Sequence, residues 1–167
     1  MKLFRTLSLY AALAASCASV LAAPLPVKKS ALVTIPATFA VNAPPAKVWT
    51  ALSSVDGFGT LTGFRATGGA KTFTKIGDAV PAQVWSDSGR LIVTELVPGR
   101  ELRVAWEPAK GHYLCSKRIV LSAAGAGTSL EYWDRYTDDQ PNADETARQV
   151  AAETEKQIAA FRALVEK

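Results

Sequence analysis

One change of period organises this chain. Over residues 63–136, short β-type runs follow one another with turn residues between them, and two of them alternate clearly: Leu102, Val104 and Trp106 share a face, as do Leu130 and Tyr132. After "TDDQPNAD" (137–144), with Asp144 or Asn142 as the cap, apolar residues recur at helical spacing to the end instead. The runs are "AVPAQVW" (79–85), "RLIVTEL" (90–96), "ELRVAW" (101–106), "YLCSKRIVLS" (113–122) and "TSLEYWDRY" (128–136). Gly68-Gly69, Gly77-Asp78, "SDSG" (86–89), "PGR" (98–100), "PAKG" (108–111) and "AGAG" (124–127) punctuate them. Connections this short make successive strands antiparallel. Beyond them, Ala147, Val150 or Ala151, Thr154, Ile158, Phe161 and Leu164 or Val165 share one face of a helix of about 22 residues, roughly 33 Å long. A sheet with one apolar face must bury it. This helix is the only segment large enough to do so.

The chain ahead of the sheet has its own punctuation. Val33, Ile35, Ala37, Phe39 and Val41 alternate with Thr34, Pro36, Thr38 and Ala40, the pattern of a half-buried strand. Pro36 marks that strand as an edge or an interrupted one. In "NAPPAKVWTALSSVDGF" (42–58), Pro44-Pro45 stops the strand and seeds a helix, because proline has no N–H to lose in a first helical turn. Val48, Leu52 and Val55 lie at i, i+4 and i+7, with Asp56-Gly57 predicted to end the element. Phe58, Leu61 and Phe64 suggest a second short helical piece. "GGAK" (68–71) is too short for a phosphate loop and reads as a hairpin.

Residues 1–22 read as a cleaved signal peptide: Lys2 and Arg5 precede an uncharged Ala/Leu-rich run that ends in Val20-Leu21-Ala22. Residues 23–30 form an exposed leader, and 31–167 a single domain. "LAASC" (13–17) also resembles a bacterial lipobox, so the alternative is a lipid anchor at Cys17. Cleavage removes two cations, leaving 17 basic residues against 15 acidic. No Lys/Arg run exceeds two residues, so no nucleic-acid partner is expected. Cys115 is the single cysteine of the mature chain and His112 its single histidine. They allow no disulfide and no ordinary zinc site. His112, in the "PAKGHY" turn, reads as a solvated side chain. The mature chain has no apolar run long enough for a membrane span.

The element order, together with "APPAKVWTALSSVDGF" (43–58), "KIGDAV" (75–80), "VTELVPGREL" (93–102) and "GAGTSLEYW" (125–133), resembles the START/Bet v 1-like (SRPBCC, helix-grip) superfamily. The chain resembles especially the polyketide cyclase/dehydrase-like branch, from about residue 33 to the end. Members often carry a Trp-x-Pro-like segment after the first helix. This chain has "GFGTLTGF" (57–64), which leaves the shape of a cavity mouth open. The resemblance implies an α+β fold: a curved antiparallel sheet of about seven strands around a long C-terminal helix, with two short helices after the first strand. It also implies a cavity between sheet and helix for a hydrophobic molecule.

Strand parity turns Val84, Val93, Val104, Trp106, Tyr113, Cys115 and Tyr132 toward the helix, which answers with Val150, Thr154, Ile158 and Phe161. Phe58 and Leu61 join these as candidate ligand contacts, and plain core filling competes for each. Tyr113 and Tyr132 are the more informative, since a buried phenol needs a partner. The same parity places Lys117 and Asp134 inside, where they could pair across neighbouring strands; the alternative is that each is solvated at a rim. Glu95 shares the parity of Val93 and raises the same question. No Ser-His-Asp set, Cys-His pair, HExxH motif or phosphate loop is present, so no catalytic residue, cofactor or metal is expected. The leading expectation is a periplasmic or secreted protein that holds a lipid or polyketide-like ligand. The alternatives are a cyclase/dehydrase-like enzyme, against which export argues, and a module for a protein partner at the cell envelope.

Overall fold

Strand β1 (Ala31–Val41) runs up to the two prolines and stops there. The computed structural model describes residues 31–111, 113–138 and 140–167. The expected signal segment, the leader, Cys17 and His112 lie outside them. Helix α1 (Pro45–Ser53) starts at Pro45, with Pro44 extended at φ −65° and its carbonyl accepting from Lys47 and Val48. The chain does not leave the helical region at Asp56-Gly57, as the sequence suggested. Ser54 breaks it earlier. Its Oγ donates to the Ala51 carbonyl at 2.7 Å and accepts from the Gly57 N–H at 3.0 Å, capping helix α2 (Val55–Thr62). Asp56 thereby sits in the first turn of α2, where a carboxylate suits the helix dipole. Gly57 is needed at this corner, because a Cβ there would stand 2.1 Å from the Ala51 oxygen.

Six further strands follow: β2 (Arg65–Ala66), β3 (Ala79–Val84), β4 (Asp87–Val97), β5 (Glu101–Pro108), β6 (Cys115–Ala124) and β7 (Gly127–Asp138). They form one sheet in the order β1-β7-β6-β5-β4-β3-β2, every pair antiparallel. β1 is an edge, which is where Pro36 is tolerated. β2 and β3 do pair, but through a long connection over 67–78 rather than a tight "GGAK" hairpin. The "SDSG" turn is also displaced: β4 already begins at Asp87, and the reversal is made by Trp85 and Ser86.

Helix α3 (Ala143–Val165) lies in the curve of the sheet. Its buried residues, Thr154, Ile158, Phe161 and Val165, are confined to its C-terminal part. There Ile158, Phe161 and Val165 meet Val48, Leu52, Phe58 and Leu61 of the short helices and Leu102, Ile119, Leu130 and Tyr132 of the sheet in one closed apolar cluster. Truncating a ring such as Phe161 in a cluster of this kind costs about 3–5 kcal/mol. Polar ties fasten the same end. Arg162 donates to the Ala40 carbonyl, Glu166 accepts from the Asn42 N–H, and Thr128 donates to the Ala43 carbonyl. The N-terminal half of α3 has no fully buried residue. That half overlies the open end of the sheet.

One strand irregularity corrects the expected parity. The β4–β5 register shifts between Val93 and Glu95, with Thr94 as the extra residue. A bulge of this kind reverses facing beyond it. Leu96 therefore packs on the core, while Glu95 turns outward to face Arg103 at 3.5 Å.

Candidate functional site

Past the closed cluster, sheet and helix separate around a cavity of about 280 Å³. Alternation on three neighbouring strands builds its floor. Register sets Trp106 of β5 opposite Cys115 of β6, and Cys115 opposite Tyr136 of β7. One step deeper, Lys117 stands opposite Asp134. Both are buried, Lys117 at 7% and Asp134 at 1% exposure, and Lys117 Nζ is paired to Asp134 Oδ2. The rim alternative for this pair is thus excluded. Phe64, just after α2, is tilted against Trp106 at 5.1 Å between ring centroids and stands 5.7 Å from the Lys117 ammonium. That separation is within cation–π range. The ammonium is therefore held by one carboxylate and one ring face.

A hydrogen-bonded chain leads from the floor to the mouth. Trp106 Nε1–H donates to Tyr113 Oη at 2.8 Å, and the Tyr113 hydroxyl donates to Asp87 Oδ2 at 2.8 Å. Burial, reinforced by the Asp87 carboxylate, pushes the Tyr113 phenol up to about 12. Burial likewise raises the Cys115 thiol to about 11, against a partial lowering by Lys117. It raises Tyr136 to about 12, with the charge of Asp134 adding to the effect. Along the inner face of β7, Tyr132 Oη, Asp134 Oδ1 and Tyr136 Oη are buried without a hydrogen-bond partner among the described residues. Buried polar atoms are rarely left so. Three in alternate positions of one strand mark a polar strip in an otherwise apolar interior.

The expected site residues divide into two groups. Val84, Trp106, Tyr113, Cys115, Lys117, Asp134, Val150 and Thr154 come together around the cavity. Phe58, Leu61, Val93, Val104, Tyr132, Ile158 and Phe161 face inward too, but they pack in the closed cluster and do not line it. Alternation identifies a face; it does not say how far along the strand the helix stops touching the sheet. Further residues complete the lining. Tyr136 continues the Leu130, Tyr132, Asp134 parity and was open to the same reading. Trp85 and Asp87 were hidden by the displaced turn. Thr146, Glu153 and Gln157 share a helical face with Val150, but their polarity suggests solvent. Gly63 and Phe64, from the stretch that replaces the Trp-x-Pro-like segment, also form part of the wall. Among the described residues no cluster of His, Cys, Asp and Glu could hold a metal, and no helix is long and apolar enough to cross a membrane.

A curved antiparallel sheet around a C-terminal helix, with two short helices after the first strand, is the helix-grip fold of the START/Bet v 1-like (SRPBCC) superfamily, and this chain has it. Solved structures carry the likeness. The Bet v 1 allergen Ara h 8.0201 matches at a TM-score of 0.59 and 16% identity, over 81% of this chain and 98% of that one. DynU16, from the dynemicin biosynthetic locus, matches at 0.61 and 16%, over 80% of this chain and 47% of its own. Aha1 from Colwellia psychrerythraea matches at 0.59 and 14%, over 80% and 96%. At these identities the likeness is one of fold. No sequence profile of a known family matches the chain, and no curated protein sequence matches it.

Proposed function

We propose that this protein binds an apolar small molecule, lipid or polyketide-like, in the cavity between the sheet and the N-terminal half of α3. The observation that carries the reading is the cavity itself, walled by Phe64, Val84, Trp106 and Val150 and ending on the Lys117–Asp134 pair. A mostly apolar hollow with a few converging polar groups is the usual form of a small-molecule site. Export through residues 1–22 belongs to the same proposal and places the ligand in the periplasm or outside the cell. Mass spectrometry of the protein purified from its native compartment tests both parts. A co-purifying apolar compound and an N-terminus at Ala23 are the expected results. A blocked, acylated Cys17 would replace soluble export with a lipid anchor.

The Lys117–Asp134–Tyr136 cluster favours a second reading, a cyclase/dehydrase-like enzyme, for which the locus of DynU16 is suggestive. Holding a flexible chain in one folded shape can itself remove much of a barrier. Turnover of a linear poly-β-ketone mimic, abolished by Lys117→Met, would move the assignment to that class.

A further inference from the structure

The charges around the cavity are not balanced. Among the described residues that line it, Lys117 is the one cation, against Asp87, Asp134, Asp138 and Glu153. Lys117 is already paired with Asp134. Glu153 is partly offset by Lys156 on the exposed side of α3, at 3.0 Å. Asp138 accepts the Gln140 N–H and Asp87 accepts the Tyr113 hydroxyl; both are neutral donors that leave the negative charge in place. A ligand therefore enters past acidic side chains and reaches an ammonium that already has its counter-ion. Low-dielectric walls lengthen the reach of such a field.

The floor makes a second, independent demand. Asp134 is 1% exposed, and its Oδ1 has no partner among the described residues. A carboxylate oxygen can only accept, so what it lacks is a donor. The Tyr136 hydroxyl, on the same inner face two residues on, also has no partner among them and can donate or accept.

We propose that the cavity selects ligands with a hydroxyl group at the end that enters first and with no negative charge. Apolar alcohols and phenols would be taken and carboxylates excluded. The hydroxyl would donate to Asp134 and accept from Tyr136. A fatty-acid or aryl carboxylate, having no proton to give, would add a fifth carboxylate to the four already around the cavity. The proposal rests on the cavity-binding reading above and narrows it to a ligand class.

Three probes of similar size test it: 2-naphthol, 2-naphthoate and 2-methylnaphthalene, titrated at pH 7 and low salt against the tryptophan fluorescence of the protein. A hydrogen bond to a charged group should favour 2-naphthol over 2-methylnaphthalene by about tenfold or more. Repulsion should place 2-naphthoate at least about tenfold below 2-naphthol, with the gap narrowing as salt is added. Tyr136→Phe should reduce the first preference. The pair Asp138→Asn and Glu153→Gln, both away from the buried floor, should narrow the second. If 2-naphthoate binds as well as 2-naphthol, or 2-methylnaphthalene does, the selectivity is overturned while the binding cavity stands. If none of the three binds, the cavity-binding reading fails and the selectivity with it.

Discussion

Lys117 and Asp134 face each other across β6 and β7 and pair inside the protein, where the closed apolar cluster gives way to the cavity. Two charges so far from water are costly to bury, and their attraction offsets that cost only while both are present. Removing one leaves the other buried alone. Asp134→Ala or Lys117→Met should therefore lower stability by about 3–5 kcal/mol in urea unfolding. The double replacement Lys117→Met with Asp134→Leu should recover most of the loss. If each single variant costs less than about 1 kcal/mol, the pair is as weak as a surface one and its placement at the floor is wrong.

Cys115 lies between Trp106 and Tyr136 in the register, and burial raises its thiol from an ordinary 9.0 to about 11. The thiolate is the reactive form. Modification by a disulfide reagent at pH 8 should accordingly be far slower than for a free cysteine, accelerate only toward pH 11, and slow further with a probe in the cavity. The same shifts bear on stability. The folded state holds these protons more tightly than the unfolded chain does, so the contribution is complete below pH 9. It is lost as pH rises through about 11 for Cys115, and from 10 through about 12 for Tyr113 and Tyr136. Denaturant midpoints measured from pH 8 to 12 should fall across that window. In Cys115→Ser with Tyr136→Phe the fall should be shallower.

The residues that were easy to read differ physically from those that were not. Pro44-Pro45 acts through its own backbone, and Leu102, Val104 and Trp106 act through a period of two, so a strand end and a strand face are local properties. The inward pair Lys117 and Asp134 followed from the same alternation. Glu95 did not, because the extra residue at Thr94 exists only relative to β5. Glu153 joins the cavity because α3 stands off the sheet at its N-terminal half, and that distance is set by the closed cluster at the other end, while Gln157 joins it by lying over the bare backbone of Gly63. Trp85 turns the chain between β3 and β4 against local preference: its positive φ is one that a bulky residue ordinarily avoids, so the turn sits a residue or two earlier than "SDSG" indicates.

Gly89 of β4 lies behind the Trp106 ring. A Cβ there would approach the Glu107 oxygen to 2.3 Å and the ring carbons of Trp106 to 2.7 and 2.8 Å. The backbone atom cannot yield cheaply, so the strands must part or the ring must turn. Gly89→Ala should cost about 1–3 kcal/mol, the usual range for overpacking. Because Trp106 carries the hydrogen bond to Tyr113, its emission should also shift and probe affinity should drop. Unchanged stability and fluorescence would mean that the ring does not depend on this glycine.

Trp85 forms the tip of the β3–β4 turn at φ +50°, the one described non-glycine residue with positive φ, and it is 71% exposed while bordering the cavity. Holding a bulky L-residue in left-handed space costs about 1–2 kcal/mol. Most of its ring surface faces water, so packing returns little of that cost. Replacement by glycine should raise stability by about 0.5–1 kcal/mol, less than the full strain because glycine gains unfolded-state entropy. If the indole is kept there to cover a ligand at the mouth, the same variant should release a bound probe several times faster. Stabilisation with faster release would mark Trp85 as a residue retained for binding at the expense of the turn. Stabilisation with unchanged release would leave its strain without a role at the cavity, and a loss of stability would show that the ring packs more tightly than its exposure implies.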